Sequence, residues 1–109
     1  MEIEINKEGV FDIVRPVGRI DTSSAKSFED GLGKVADQAA KMIIAFDKIE
    51  YISSAGLRVI LVYGKKMKAK NGYMALCCMN PKIEEVFQIS GFSKILNIFG
   101  TVEEAISHA

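Results

Sequence analysis

Apolar and polar positions divide the chain into segments of two different periods. Glu2 to Asn6 and Phe11 to Gly18 alternate or cluster their apolar residues around the turn Lys7-Glu8-Gly9, which predicts a β-hairpin. Pro16 cannot donate to a ladder, so irregularity is expected in the second strand there. After Asp21-Thr22-Ser23, the apolar residues Ala25, Phe28, Leu32, Val35, Ala36 and Ala39 follow helical spacing. Gly31 and Gly33 weaken that helix, by about 1 kcal/mol each relative to Ala at exposed sites. Lys41 to Phe46 (KMIIAF) is an apolar run of strand length, with Asp47-Lys48-Ile49-Glu50 as its exit loop. Ser54 to Lys70 reads as a helix with Leu57, Ile60, Leu61 and Met67 on its apolar side. Lys65, Lys66, Lys68 and Lys70 gather in its last turns, at the negative end of the helix dipole.

Asn71-Gly72 stops that helix, and Tyr73 to Met79 is another apolar strand. Asn80 as N-cap and Pro81 in the first helical position start a third helix, with Glu84 and Glu85 in its first turn. Ile83, Val86 and Phe87 form its inward stripe and Gly91 ends it. Ile95 to Phe99 is a last short strand. Thr101-Val-Glu-Glu104 is a capping box for a C-terminal helix carrying Val102, Ala105 and Ile106. The order β, β, α, β, α, β, α, β, α predicts an α/β fold, a mostly parallel mixed sheet of about five strands packed with about four helices. The first strand is expected to be antiparallel, at an edge. In such a sheet the loops leaving the carboxyl ends of the parallel strands share one rim, where sites form. That rim gathers Arg19-Ile20-Asp21, the segment from Asp47 to Ser54, and Asn80-Pro81.

The 109 residues, 49% of them hydrophobic, suit one domain spanning 1–109 with a single core. Fourteen basic and fourteen acidic residues cancel, leaving no basic excess to attract nucleic acid or an anionic membrane. The expected partner is a protein or a small ligand. Apolar runs such as Val59 to Tyr63 are too short to cross a bilayer, and MEIEIN has no charged-then-apolar leader pattern, so a cytoplasmic location is expected. Cys77 and Cys78 are adjacent within a predicted strand, so their side chains should point to opposite faces; they would make a strained disulfide at best and read as plain buried or half-buried thiols. Met67, Met74 and Met79 read as core filling.

Few chemistries fit the rim. The single histidine, His108, is penultimate and reads as a solvated helix end, so no metal site and no cofactor are expected. No Gly-x-Ser-x-Gly elbow, Ser-x-x-Lys pair or nearby histidine would activate a serine nucleophile, so the chain is not expected to be an enzyme. Gly31-Leu-Gly-Lys34 only superficially resembles a phosphate loop: the pattern's first glycine is missing, and Val35 stands where a hydroxyl should hold magnesium. Ser54 has two readings. Serine is a preferred N-cap, which is its ordinary role at a helix start. A phosphate placed on it would also be stabilised by the free N–H groups and positive dipole end, adding about −1.5 to −2 charge at pH 7.

The stretch IIAFDKIEYISSAGLRVIL resembles the signature of STAS domains in the anti-sigma-factor antagonist group, where an apolar strand, an acidic loop and Asp-Ser-Ser/Thr/Ala-Gly-Leu lead into a helix. Gly18-Arg-Ile-Asp21, Asn80-Pro81 followed by IEEVFQISGF, and Thr101-Val-Glu-Glu-Ala105 extend the resemblance over nearly the whole chain. It implies a single STAS-type domain that regulates partner switching without catalysis of its own. The implied partner is an anti-sigma factor that is also a serine kinase of the histidine-kinase-like ATPase fold; a metal-dependent serine phosphatase reverses its action. The family's phosphoacceptor falls on Ser54, and Asp21 matches a carboxylate used near the acceptor, a role compatible with capping the first helix. Thr22, Ser53, Ala55, Gly56, Leu57 and Arg58 complete the implied acceptor loop and partner surface. The aspartate that usually precedes the acceptor is Ser53 here, which removes a negative neighbour and leaves the choice between Ser53 and Ser54 open. That departure motivates an alternative reading, a constitutive STAS binding or scaffold module. Gly56 admits either a close partner backbone or tight packing on the sheet.

Overall fold

The computed structural model describes residues 1–109. Strands β1 (Glu2–Glu8) and β2 (Phe11–Ile20) form the expected antiparallel hairpin, registered from Glu2 opposite Val17 to Glu8 opposite Phe11. Gly9 turns the chain at φ 64°, a conformation open to glycine at little cost. Helix α1 (Ala25–Ala36), β3 (Lys41–Ala45), β4 (Ile49–Ile52), α2 (Ser54–Ala69), β5 (Tyr73–Cys77), α3 (Pro81–Ile89), β6 (Asn97–Phe99) and α4 (Val102–Ser107) follow. The sheet runs β1-β2-β3-β5-β6, with β1 antiparallel at one edge and all other pairings parallel.

The sheet has six strands, one more than the hydrophobic pattern predicts, because the expected exit loop after β3 is itself partly a strand. β4 lies parallel to the end of β2, pairing Gly18 with Ile49, Arg19 with Tyr51 and Ile20 with Ile52. A register shift between Gly18 and Arg19 admits the extra residue, and Gly18 at φ 104° takes up the distortion. Ile49 and Ile52 are buried while Glu50 and Tyr51 are exposed, so the side chains do not alternate as in a regular strand. β2 therefore pairs with β3 over Phe11–Val14 and with β4 over Gly18–Ile20. Pro16, which cannot donate, falls between these two ladders.

Two further boundaries move inward. The last strand is only three residues, because Gly91 (φ 81°) leads into a 3₁₀ turn over Phe92–Lys94. β5 ends at Cys77, and Cys78 has left the strand with φ 64°. The expected caps of α3 and α4 are present: Asn80 Oδ1 accepts from Ile83 N at 2.9 Å, and Thr101 Oγ1 from Glu104 N at 3.1 Å. No helix is long and apolar enough to cross a membrane.

The two faces of the sheet are covered unequally. Val14, Met42, Ile44, Met74 and Leu76 pack beneath α1, α2 and α3 through Phe28, Leu32, Ile60, Met67, Ile83 and Phe87 in a cluster of 21 buried residues. Burying each large side chain contributes about 1.5–3 kcal/mol relative to leaving it in water. The glycines of α1 have a packing reason: a Cβ at Gly31 would collide with Ile3, and one at Gly33 would lie 2.8 Å from Tyr63 Oη. On the opposite face a smaller cluster includes Phe11, Ile13, Ile43, Ala45, Ala75, Cys77 and Ala105. Its alanines let α4 seat close to the strands, where Tyr73 Oη donates to Ala105 O at 2.8 Å.

Candidate functional site

The parallel strands deliver their carboxyl ends to one rim, and β4 brings two distant segments together there. Ser53 N donates to Ile20 O at 2.7 Å, which ties the start of α2 to the end of β2 immediately before Asp21. Asn80 adds a third segment. Its amide Nδ2 donates to Ile49 O at 3.4 Å while its oxygen caps α3.

The two serines divide their duties. Ser53 has extended backbone (φ −92°, ψ 173°) and is the N-cap of α2, its Oγ accepting from Gly56 N at 3.4 Å. Ser54 is the first helical residue and is exposed. The helix starts at Ser54 as its pattern predicts, but the capping reading of Ser54 is corrected: Ser53 fills that place, and Ser54 Oγ is left free of capping. The first amides of a helix have no partner within it, so Ser54 N and Ala55 N remain available beside that hydroxyl. A 16-residue helix presents its positive end at the same point.

Asp21 organises the neighbouring turn. Its Oδ1 accepts from Ser23 Oγ at 2.7 Å, Ser23 N at 3.0 Å, Ser24 N at 3.1 Å and Ser24 Oγ at 3.3 Å. These bonds, the Ser23 hydroxyl foremost, hold the carboxyl below its usual range. With the folded value lowered, the stability this turn draws from the carboxylate is complete above the ordinary aspartate range and fades as pH falls through the lowered value. Asp21 does not cap α1 directly. Ser24 occupies that position, and the Asp21 bonds close the turn before it.

The remaining residues of the implied acceptor loop separate into outward and inward sets. Thr22 and Arg58 are exposed, Ala55 is half-buried, and Gly56 and Leu57 are buried. A Cβ on Gly56 would stand 2.6 Å from Ile20 Cγ2 and 2.9 Å from Ile52 Cγ1, so the absent side chain is what lets α2 rest on β2 and β4. Arg58 lies one turn beyond Ser54 on the same helix face. Two features escaped the sequence reading. The Arg19 guanidinium stacks 4.5 Å from the centre of the exposed Tyr51 ring, across the β2–β4 pairing. Asn80 also links α3 to β4. Both depend on the existence of β4, whose only sequence signal was the pair Ile49 and Ile52.

No cluster of His, Cys, Asp and Glu of a size to hold a metal ion is present. The rim presents the unbonded Ser54 hydroxyl beside a helix start.

Comparison with known proteins agrees with the fold. The STAS domain family model matches residues 2–105. BtrV of Bordetella bronchiseptica, provisionally named an anti-sigma factor antagonist, is 34% identical over 89 residues, 81% of this chain and 77% of that protein. The anti-sigma-B factor antagonist of Bacillus subtilis is 29% identical over 108 residues, 97% of this chain and 99% of its own. Among solved structures, the Bacillus anti-sigma factor antagonist SpoIIAA shares the fold at 21% identity. Its unphosphorylated form has a TM-score of 0.80, covering 98% of this chain and 95% of that one. Its phosphorylated form has a TM-score of 0.72, covering 98% of each.

Proposed function

The chain belongs to the STAS domain family, and from that premise we propose that it is an anti-sigma-factor antagonist switched off by phosphorylation of Ser54. With Ser54 unmodified it binds an anti-sigma factor that is also a serine kinase of the histidine-kinase-like ATPase fold, and the sigma factor is released. The kinase transfers the terminal phosphoryl group of ATP to Ser54 Oγ, the complex ends, and a metal-dependent serine phosphatase restores the hydroxyl. The chain itself catalyses nothing in this cycle.

The observation that carries this reading is the free, exposed Ser54 hydroxyl beside unpartnered amides, released from capping by Ser53. A phosphate there gains from the helix dipole and adds about −1.5 to −2 charge at pH 7, enough to reverse the electrostatics of a contact surface. SpoIIAA, which shares the fold, has been solved in both phosphorylated and unphosphorylated forms. Incubation with the cognate kinase and ATP, followed by peptide mass spectrometry, is expected to place phosphate on Ser54 and none on the Ser54→Ala variant. A wild-type chain that binds the kinase tightly yet stays unmodified would reject the switch.

One observation favours a second reading, a constitutive binding or scaffold module: Ser53 supplies a hydroxyl where a carboxylate would flank the acceptor. Under that reading Ser54→Ala and Ser54→Asp bind the partner equally. Under the switch, the aspartate variant binds more weakly.

A further inference from the structure

Cys77 and Cys78 meet in a way that a strand does not allow. Successive side chains of an extended chain point to opposite faces, which would hold neighbouring thiols apart. Here Cys78 has φ 64°, and that rotation about its N–Cα bond swings Cβ to the side occupied by Cys77. The two sulfurs lie 3.3 Å apart, with the Cys78 thiol donating to Cys77 Sγ. Neither is in a disulfide. Left-handed backbone is uncommon outside Gly, Asn and Asp, so a cysteine placed there is a departure with a chemical result.

The two thiols differ in access. Cys77 is fully buried among Ile13, Ala45, Ala75 and Ala105, and burial pushes its thiol far above the usual range. Cys78 is half-buried, at the point where β5 gives way to the turn before Asn80. The charged pair Arg15 and Asp47, 2.9 Å apart, acts on the same rim.

We propose that Cys77 and Cys78 form a reversible oxidation site, closed by a hydroperoxide into a disulfide between neighbouring residues. In the first step the Cys78 sulfur attacks the peroxide, the O–O bond breaks, Cys78 becomes a sulfenic acid and one water (or alcohol) leaves. In the second the Cys77 sulfur attacks Cys78, a second water leaves with the sulfenic oxygen, and the S–S bond forms. Two thiol hydrogens and two electrons have passed to the peroxide. Neighbouring Cα atoms are about 3.8 Å apart across a trans peptide, short of the roughly 4.4–6.8 Å of ordinary disulfides. The closed ring is strained, so excess low-molecular-weight thiol returns it to the dithiol and becomes a disulfide itself.

The test treats the full chain with hydrogen peroxide, denatures it, and counts alkylatable thiols by mass. The count is expected to fall from two to none without cross-linking between chains, and dithiothreitol is expected to restore both. Digestion after Lys70 and Lys82 isolates the peptide holding both cysteines, which should have lost two hydrogens. In Cys77→Ser the reaction should stop at a sulfenic acid on Cys78, trapped by a cyclic dione. In Cys78→Ser the buried Cys77 should stay alkylatable. Two thiols surviving a dose that oxidises free glutathione, higher oxides on Cys78 without hydrogen loss, or disulfides only between chains would each overturn the proposal.

Discussion

A helix has one N-cap, so neighbouring serines at its start cannot both fill that place. Ser53 takes it through the bond to Gly56 N, and Ser54 keeps its hydroxyl for solvent or a partner. Their substitutions should therefore part company. Ser53→Ala is expected to cost about 0.5–1 kcal/mol, the lower part of the capping range because the bond is 3.4 Å long. Ser54→Ala should change stability by less than about 0.5 kcal/mol, since no bond is lost and Ala favours helix. Urea denaturation of the two variants checks the difference. Ser53→Asp retains a good cap and places a carboxylate beside Ser54, and under the proposed switch it should speed kinase-dependent phosphorylation of Ser54 if that missing charge limits the rate. The carboxylate already on this rim, Asp21, spends Oδ1 on Ser23 and Ser24. Its other oxygen takes no part in those bonds.

Among the elements, those with local signatures were legible in the sequence. Asn80-Pro81 and Thr101 announced their helices because a cap is a contact within four residues, and the hairpin announced itself through Gly9. β4 was not legible. Its pairing with β2 depends on a register shift at Gly18, more than thirty residues upstream, and its two buried isoleucines are spaced by three rather than two. The thiol pair was hidden for a related reason, since the residue pattern around Cys78 reads as strand and only the backbone rotation shows otherwise. The division of Ser53 from Ser54 was not legible because serine is a good cap at either place, and only the extended backbone of Ser53 shows which of the two fills it. Asn80 joins α3 to β4 and allows the element-scale arrangement to be tested. Asn80→Ala loses both the cap and the amide donor and should destabilise by about 1 kcal/mol or more. Asn80→Asp keeps the oxygen that caps Ile83 N but lacks the donor to Ile49 O. The stability gap between the two variants, read from equilibrium unfolding, reports the cap, and the gap from wild type to aspartate reports the tie to β4.

Across the whole molecule, three helices shield one face of the sheet, while the short α4 covers part of the other. Balanced charge leaves no net long-range attraction, so recognition has to come from the rim's local chemistry. That rim is built on the most interrupted part of the sheet. Along a single edge, β2 is partnered first by β3 and then by β4, with the break between them at Gly18 and Arg19. Protection from solvent should follow this division. Amides of β4, and Ser53 N bonded to Ile20 O, can open without releasing the ladder between β3 and β5. In native-state hydrogen exchange they should open at a lower free energy, and with weaker denaturant dependence, than Ile44 and Leu76 at the centre. The segment that leads into Ser54 would then be the part of the sheet that can yield to a partner while the rest of the domain stays folded.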